Sequence, residues 1–282
     1  MPVPITGIDH AIVGVRDLEA AHRQWMKLGF TITPRGRHKG WGTANYCIMF
    51  ENDYVELLGI IDSAQFTNKL DQFLKLREGL MGLAFSAEKA EAVSDALDAE
   101  AISYKGPADL SRLLELPEGD VEPAFKLVHL NGATPGVSSF VCQHLTRDLV
   151  WRPEWTGHPN GVTGIESMTV VVEDVAAIRP SWERLLGEEA VMEFDDNEFS
   201  VQAGATELRF LNEPAAKQAV PDLKKRKWRP PFLASMALSV NDLDRTVHAL
   251  DTGAVKFERS QDEIVTVTGT QANGVTLEFC GG

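Results

Sequence analysis

Two metal-grade donor groups lie where apolar strands are expected. In GIDHAIVGV (residues 7–15), Ile8, Ala11, Ile12, Val13 and Val15 read as core, yet Asp9 and His10 stand near the start. In YVELLGI (54–60), the carboxylate of Glu56 is set among Tyr54, Val55, Leu57 and Leu58. Burying a lone carboxylate is costly, so Glu56 needs a counter-charge or must hold a proton. A divalent cation shared with His10 satisfies both groups, and nitrogen and oxygen donors without sulfur suit Zn, Fe, Mn or Ni. The competing reading is structural: a hydrogen-bonded core histidine, with Glu56 paired to a base such as Arg35 or Arg37.

A second concentration of reactive groups is GRHKGWGTANY (36–46), where His38, Trp41, Thr43 and Asn45 alternate with Gly36, Gly40 and Gly42. Glycine lets a backbone turn tightly or approach a ligand closely. An imidazole titrates near neutrality, which makes His38 the candidate general base. Trp41, Thr43 and Asn45 are the candidate substrate contacts. The alternative is a glycine-rich hairpin in which Trp41 caps the fold and His38 is exposed. His158, in a segment with Trp151 and Trp155, either closes over a substrate or packs a linker.

The elements that must position these groups come from an internal repeat. Segments 7–25, 79–97, 164–182 and 232–250 align without a gap. Each has an apolar β-rich run, then a polar turn with Asp17, Lys89, Asp174 or Asp242 at one shared position. An Asp there caps the first turn of a helix. Leu18, Ala21, His22 and Trp25 then recur at helical spacing and give that helix one face for a sheet. Three short strands follow, read in the first module as 30–33, 44–50 and 55–60 and in the fourth as 255–259, 263–268 and 275–279. The unit is βαβββ, present four times, an α+β fold. One such sheet with one helix cannot bury both faces, so two units are expected to curl into a half-open barrel. Residues 1–150 and 151–282 are then two barrels with helices outside, and segments 146–163 and 212–231 read as linkers.

Repeated βαβββ modules opening with a Gly-Ile-Asp-His-apolar stretch resemble the vicinal oxygen chelate superfamily, which includes glyoxalase I, extradiol dioxygenases and antibiotic-resistance proteins. GRHKGWGTANY together with HPNGVTG (158–164) is similar to its glyoxalase-like branch. The resemblance spans nearly the whole chain and implies metal ligands on the first and last strands of paired modules. Carried over by position, these are His10 and Glu56 from module one. Module two offers Gly82 and either Gln143 or His144, with the register open. In the second barrel the positions fall on Ser167, Ser235, Arg209 and Glu278, so that barrel is expected to be degenerate, with Arg209 and Glu278 forming a buried ion pair. The implied activity is metal-dependent proton transfer (isomerase or lyase) through an enolate of a small oxygen-chelating substrate. Dioxygenase chemistry, or metal-free binding of a small molecule, are the alternatives, the latter favoured by the missing ligand at Gly82.

Composition bounds the rest. Forty-one acidic against 27 basic residues give a net charge of −14, which argues against nucleic-acid or anionic membrane partners. The basic run 224–227 lies between prolines and reads as a solvated linker. Three cysteines without a CxxC indicate neither a disulfide framework nor a zinc knuckle. No signal sequence or membrane-length apolar run is present, so a cytoplasmic protein is expected, with a homodimer as one option. No phosphate loop, dinucleotide-binding fingerprint or nucleophile elbow occurs, which leaves nucleotide cofactors and serine hydrolysis unsupported.

Overall fold

A computed structural model describes residues 2–130 and 132–281. The first module contains β1 (Gly7–Gly14), α1 (Leu18–Lys27), β2 (Gly36–His38), β3 (Thr43–Met49) and β4 (Tyr54–Ile60). After α2 (Leu70–Leu76), the second contains β5 (Gly79–Ser86), α3 (Ala90–Ala99), β6 (Lys105–Leu114), β7 (Ala124–His129) and β8 (Ser139–His144). A short α4 (Pro153–Thr156) leads to β9 (Val162–Val172), α5 (Val175–Leu186), β10 (Val191–Asp195), β11 (Glu198–Ala203) and β12 (Thr206–Asn212). Beyond α6 (Glu213–Ala219), the last module has β13 (Phe232–Val240), α7 (Leu243–Thr252), β14 (Glu258–Arg259), β15 (Ile264–Val267) and β16 (Thr276–Gly281).

The caps read from sequence form as expected in three modules. Asp17 accepts from Ala20 N, Asp174 from Ala177 N, and Asp242 from Asp244 N and Arg245 N. Lys89 has no acceptor to offer, and its helix α3 is capped from outside: Gln143 Oε1 on β8 accepts from Ala90 N at 2.9 Å. On α1, Leu18, Ala21 and Trp25 are buried against the sheet. Full burial of one such large apolar side chain stabilises by roughly 1.5–3 kcal/mol.

Both module pairs form barrel-like sheets with helices outside. The first pair goes beyond the expected half-open form and closes in the order β1-β4-β3-β2-β6-β7-β8-β5. Closure depends on β2, which pairs with β6 through Gly36↔Leu114, Arg37↔Leu113 and His38↔Arg112. The second pair stays open, with β10 and β14 at its edges. β14 is only two residues long, and both of them are exposed. The strand expected at residues 30–33 is docked by isolated bonds instead, Thr33 N to Cys47 O and Cys47 N to Thr33 Oγ1. The ladder strand begins at Gly36.

Alternation decides what enters the closed barrel. Ala11, Val13, Val55 and Leu57 face the helices, whereas Cys47, Met49, Tyr54, Phe125 and Leu127 fill the interior. The β1–β5 register slips between Ile8 and His10. A bulge of this kind re-aims side chains. Here it leaves both Asp9 and His10 buried and in contact with interior groups.

The halves meet through specific polar bonds. Asn160 Nδ2 donates to Leu28 O, Trp182 Nε1 to Pro135 O, and Ile165 N to Asp53 Oδ1 at 3.1 Å. Burial pushes the Asp53 carboxyl up to about 7, against the pull of that amide, and nearby Asp9 adds to the rise. The folded protein therefore keeps a proton that the unfolded chain has released above its ordinary carboxyl pKa of 3.8. Stability should decline as pH rises through that window to about 7. Urea unfolding of wild type and Asp53→Asn across pH 4–8 checks this, and a flatter profile for the variant is the expected result.

Candidate active site

One polar layer crosses the closed barrel. His10 is 4% exposed and stacks on Tyr54 (ring centroids 4.4 Å apart), with Phe140 edge-on at 5.6 Å. Its Nδ1 lies 2.5 Å from Asp9 Oδ1, and its Nε2 lies 3.7 Å from Glu56 Oε2. A carboxylate can only accept, so the hydrogen between the two sits on His10 Nδ1. A buried ring nitrogen and a buried carboxylate oxygen facing each other across this gap need a proton or a cation between them. Burial opposes the charge of Asp9, yet His144 and His10 beside it hold its carboxyl well below the usual range.

Glu56 is anchored from the other side. Asn45 Nδ2 donates to Glu56 Oε1, and Asn45 Oδ1 accepts from Arg112 Nη1 at 2.6 Å. Arg112 is 2% exposed and comes from β6, across the barrel closure. A Cβ on Gly36 would overlap both Asn45 Oδ1 and Arg112 Nη1, so the glycine is what admits this pair. Asn45 was expected to meet substrate. Both ends of its amide are instead used inside the network, and it does not line the cavity.

His38 borders the cavity. Its Nδ1 lies 2.9 Å from Thr43 Oγ1, and its Nε2 lies 4.0 Å from Glu56 Oε1. Burial lowers its pKa below the usual 6.5, Arg112 and His10 add to the fall, and Glu56 opposes it. The ring is therefore neutral at pH 7, the form a general base requires. The cavity, about 330 Å³, is lined by His38, Trp41, Thr43, Lys69, Gly82 and Phe140 among others. That space suits a small molecule.

Strand register fixes what the sequence left open. Ile12 pairs with Glu56, and its counterpart in module two, Ala84, pairs with Phe140. The last-strand position of module two is therefore Phe140, and neither Gln143 nor His144. Gln143 is corrected as a ligand: it lies on the helix side of β8, where it caps α3. His144 faces inward but meets Asp9, with Nε2 3.0 Å from Oδ2, near the far end of the barrel from the cavity. Gly82 can carry no side chain, because a Cβ there would overlap Ser138 O. Module one thus keeps two donors, and module two presents hydrocarbon and backbone.

His158 is also corrected. It does not line the cavity: its Nδ1 accepts from Thr31 N and its Nε2 donates to Met49 O, which pins the linker to the first barrel. In the open sheet, Thr169↔Arg209 and Ala237↔Glu278 reproduce the Ile12↔Glu56 register. Arg209 nevertheless bonds Glu198 on the adjacent β11, with Nη2 2.6 Å from Oε1, and the expected Arg209–Glu278 ion pair does not form. Burial pushes the Glu278 carboxyl up, and Arg209 only moderates the rise. The sequence reading missed Asp9 and Arg112 as members of the layer. Asp9 could have been found from its place beside His10. Arg112 carries no local signal, because SRLLEL reads as an ordinary strand.

A family model described as a glyoxalase-like domain matches residues 8–186. No curated protein matches the sequence. Among solved structures, a protein titled as hypothetical from Staphylococcus aureus superposes with a TM-score of 0.70 at 14% identity, covering 98% of this chain and 99% of that one. A substituted 4-hydroxymandelate synthase from Streptomyces coelicolor gives 0.63 at 12% identity, with 99% and 93% covered. A fusion of a xylose isomerase-like barrel with a 4-hydroxyphenylpyruvate dioxygenase gives 0.63 at 11%, with 100% of this chain and 50% of that one covered. At such identities the likeness concerns the fold alone. No helix among the described residues is long and apolar enough to cross a membrane.

Proposed function

The chain belongs to the glyoxalase-like domain family, and from that premise we propose that its first barrel is a metal-dependent active site for proton transfer on a small oxygen-chelating molecule. The observation that carries the reading is the buried meeting of His10 Nε2 and Glu56 Oε2 at 3.7 Å, too far apart for a direct hydrogen bond, beside the neutral His38. Their donor types fit a borderline or hard divalent ion such as Zn, Ni, Mn or Fe. When bound, such an ion supplies Lewis-acid stabilisation to an oxyanion next to the carbon that loses its proton.

The chain's own residues do the remaining work. Asp9 fixes the tautomer and direction of His10, as a carboxylate behind a ligating imidazole does. Arg112 holds Asn45, and Asn45 holds Glu56 Oε1, which leaves Oε2 turned toward His10. Thr43 engages His38 Nδ1, so Nε2 is the atom that takes the carbon-bound proton. Trp41 and Phe140 give the cavity its apolar walls and exclude water from the reacting carbon.

Gly82 and Phe140 favour a second reading, a metal-free binding protein, because half of the family's ligand positions hold no donor. The dioxygenase reading draws on the family resemblance and on the name of one structural neighbour, and iron at His10 and Glu56 is what it would require. Titrating Mn²⁺ into the protein while following the free-ion EPR signal separates these readings. Saturable binding by wild type is expected, weakened in His10→Ala and Glu56→Gln by at least the roughly 10–100-fold that loss of an outer-shell partner costs. Equally weak uptake by all three proteins contradicts the enzyme reading and leaves the binding protein.

A further inference from the structure

At the end of the first barrel away from the His38 cavity, three donors of a different kind converge. Asp9, Cys142 and His144 place one ligand atom each within 4.8 Å of one another, and among the described residues no other His, Cys, Asp and Glu group of three or more does so. All three side chains are more than nine-tenths buried. Cys142 and His144 are two apart on β8, so they share its inner face, and the bulge in β1 brings Asp9 to meet them. His144 lies edge-on to Phe125 and Trp151, both at 4.9 Å between centroids. Its Nε2 is 3.0 Å from Asp9 Oδ2, while its Nδ1 is buried with no hydrogen-bond partner. A buried imidazole nitrogen without a partner costs stability unless a further group completes it.

We propose that Asp9, Cys142 and His144 form a second metal site, selective for Zn²⁺ and Co²⁺ over Mg²⁺ and Mn²⁺. A thiolate, an imidazole and a carboxylate are three of the four ligands of a tetrahedral zinc centre, and the thiolate disfavours hard ions. Binding breaks the Cys142 S–H bond, forms the metal–sulfur bond and releases one proton to solvent. The ion's two positive charges are then balanced by the thiolate and the Asp9 carboxylate, so no net charge is buried. The fourth position opens on a cavity of about 470 Å³ lined by Asp9, Cys142, His144, Asp53 and Arg147, which gives the ion a route in and leaves room for a water ligand. The site also ties β1 to β8 and so joins the two modules across the barrel end. It shares Asp9 with the His10–Glu56 pair through the bond to His10 Nδ1, but uses neither Nε2 of His10 nor Glu56, so loss of Glu56 leaves its three ligands in place.

Co²⁺ titration tests this directly. The expected result is a thiolate-to-cobalt charge-transfer band in the near ultraviolet, with intense tetrahedral visible bands, both removed by added Zn²⁺. Cys142→Ser abolishes the charge-transfer band, and Glu56→Gln retains it, so loss of the other site does not disturb the readout. Zn²⁺ addition to Glu56→Gln in weak buffer should release one proton per ion that the same variant carrying Cys142→Ser does not release. Absence of the charge-transfer band, its persistence in Cys142→Ser, or zinc uptake without proton release each overturn the proposal.

Discussion

Replacing Arg112 by methionine should lower the free energy of unfolding by about 1–3 kcal/mol, the cost of leaving a buried polar group without its partner. Arg112 is buried among barrel side chains and reaches Glu56 through Asn45. Without it, Asn45 loses the donor to its oxygen and the Glu56 carboxylate loses the cation behind it. The variant Arg112→Met with Glu56→Gln removes both charges, so its loss should be smaller than the sum of the two single losses. Groups in one network commonly couple by ~0.5–3 kcal/mol, and the double-mutant cycle in urea measures it. Strict additivity would mean that Arg112 and Glu56 stabilise the barrel independently and that the layer is not a unit.

Removing the His38 imidazole should leave the fold intact and the chemistry lost. Proton abstraction by a positioned side chain contributes about 10²–10⁴-fold, so His38→Ala should lower turnover by that amount with little change in KM. The readout is deuterium entering small α-hydroxyketones from D₂O, followed by NMR with added divalent metal. The pH dependence has a definite sign. Burial lowers the His38 pKa below 6.5, and the base works only when neutral. Exchange should be level at neutral pH and fall as acidification protonates the ring, with a midpoint below 6.5. A midpoint above 6.5, or an exchange rate that His38→Ala leaves unchanged, removes His38 from the mechanism.

The architecture was legible because the repeat carries its own physics. Asp17, Asp174 and Asp242 each cap a helix, and the apolar runs before them each form a strand, although β1 and β13 are buried on both faces and not on one. His10 and Glu56 were legible as a pair because a charged group in an apolar strand has few ways to be satisfied, and the fold does bring them together. The second half of the site was not legible, for a reason of register. The 72-residue step between modules transfers β1 onto β5, but nothing local measures how far β8 slides past β5. Only the pairing Ala84↔Phe140 reveals that an aromatic ring occupies the position. Gln143 misled because it answers a need on another element: Lys89 cannot cap α3, and Gln143 does. Arg112 was invisible for a related reason, since its partner Asn45 is 67 residues away and meets it only when β2 closes the barrel.

Elemental analysis of protein purified without chelators or metal-affinity chromatography tests the central claim most directly. The account predicts that wild type carries one more equivalent of a divalent first-row ion than the variant His10→Ala with Glu56→Gln, and that in a Cys142→Ser background the same two substitutions remove the remaining ion. Metal content unchanged by the loss of both His10 and Glu56 would contradict the claim that these two side chains share a cation inside the barrel.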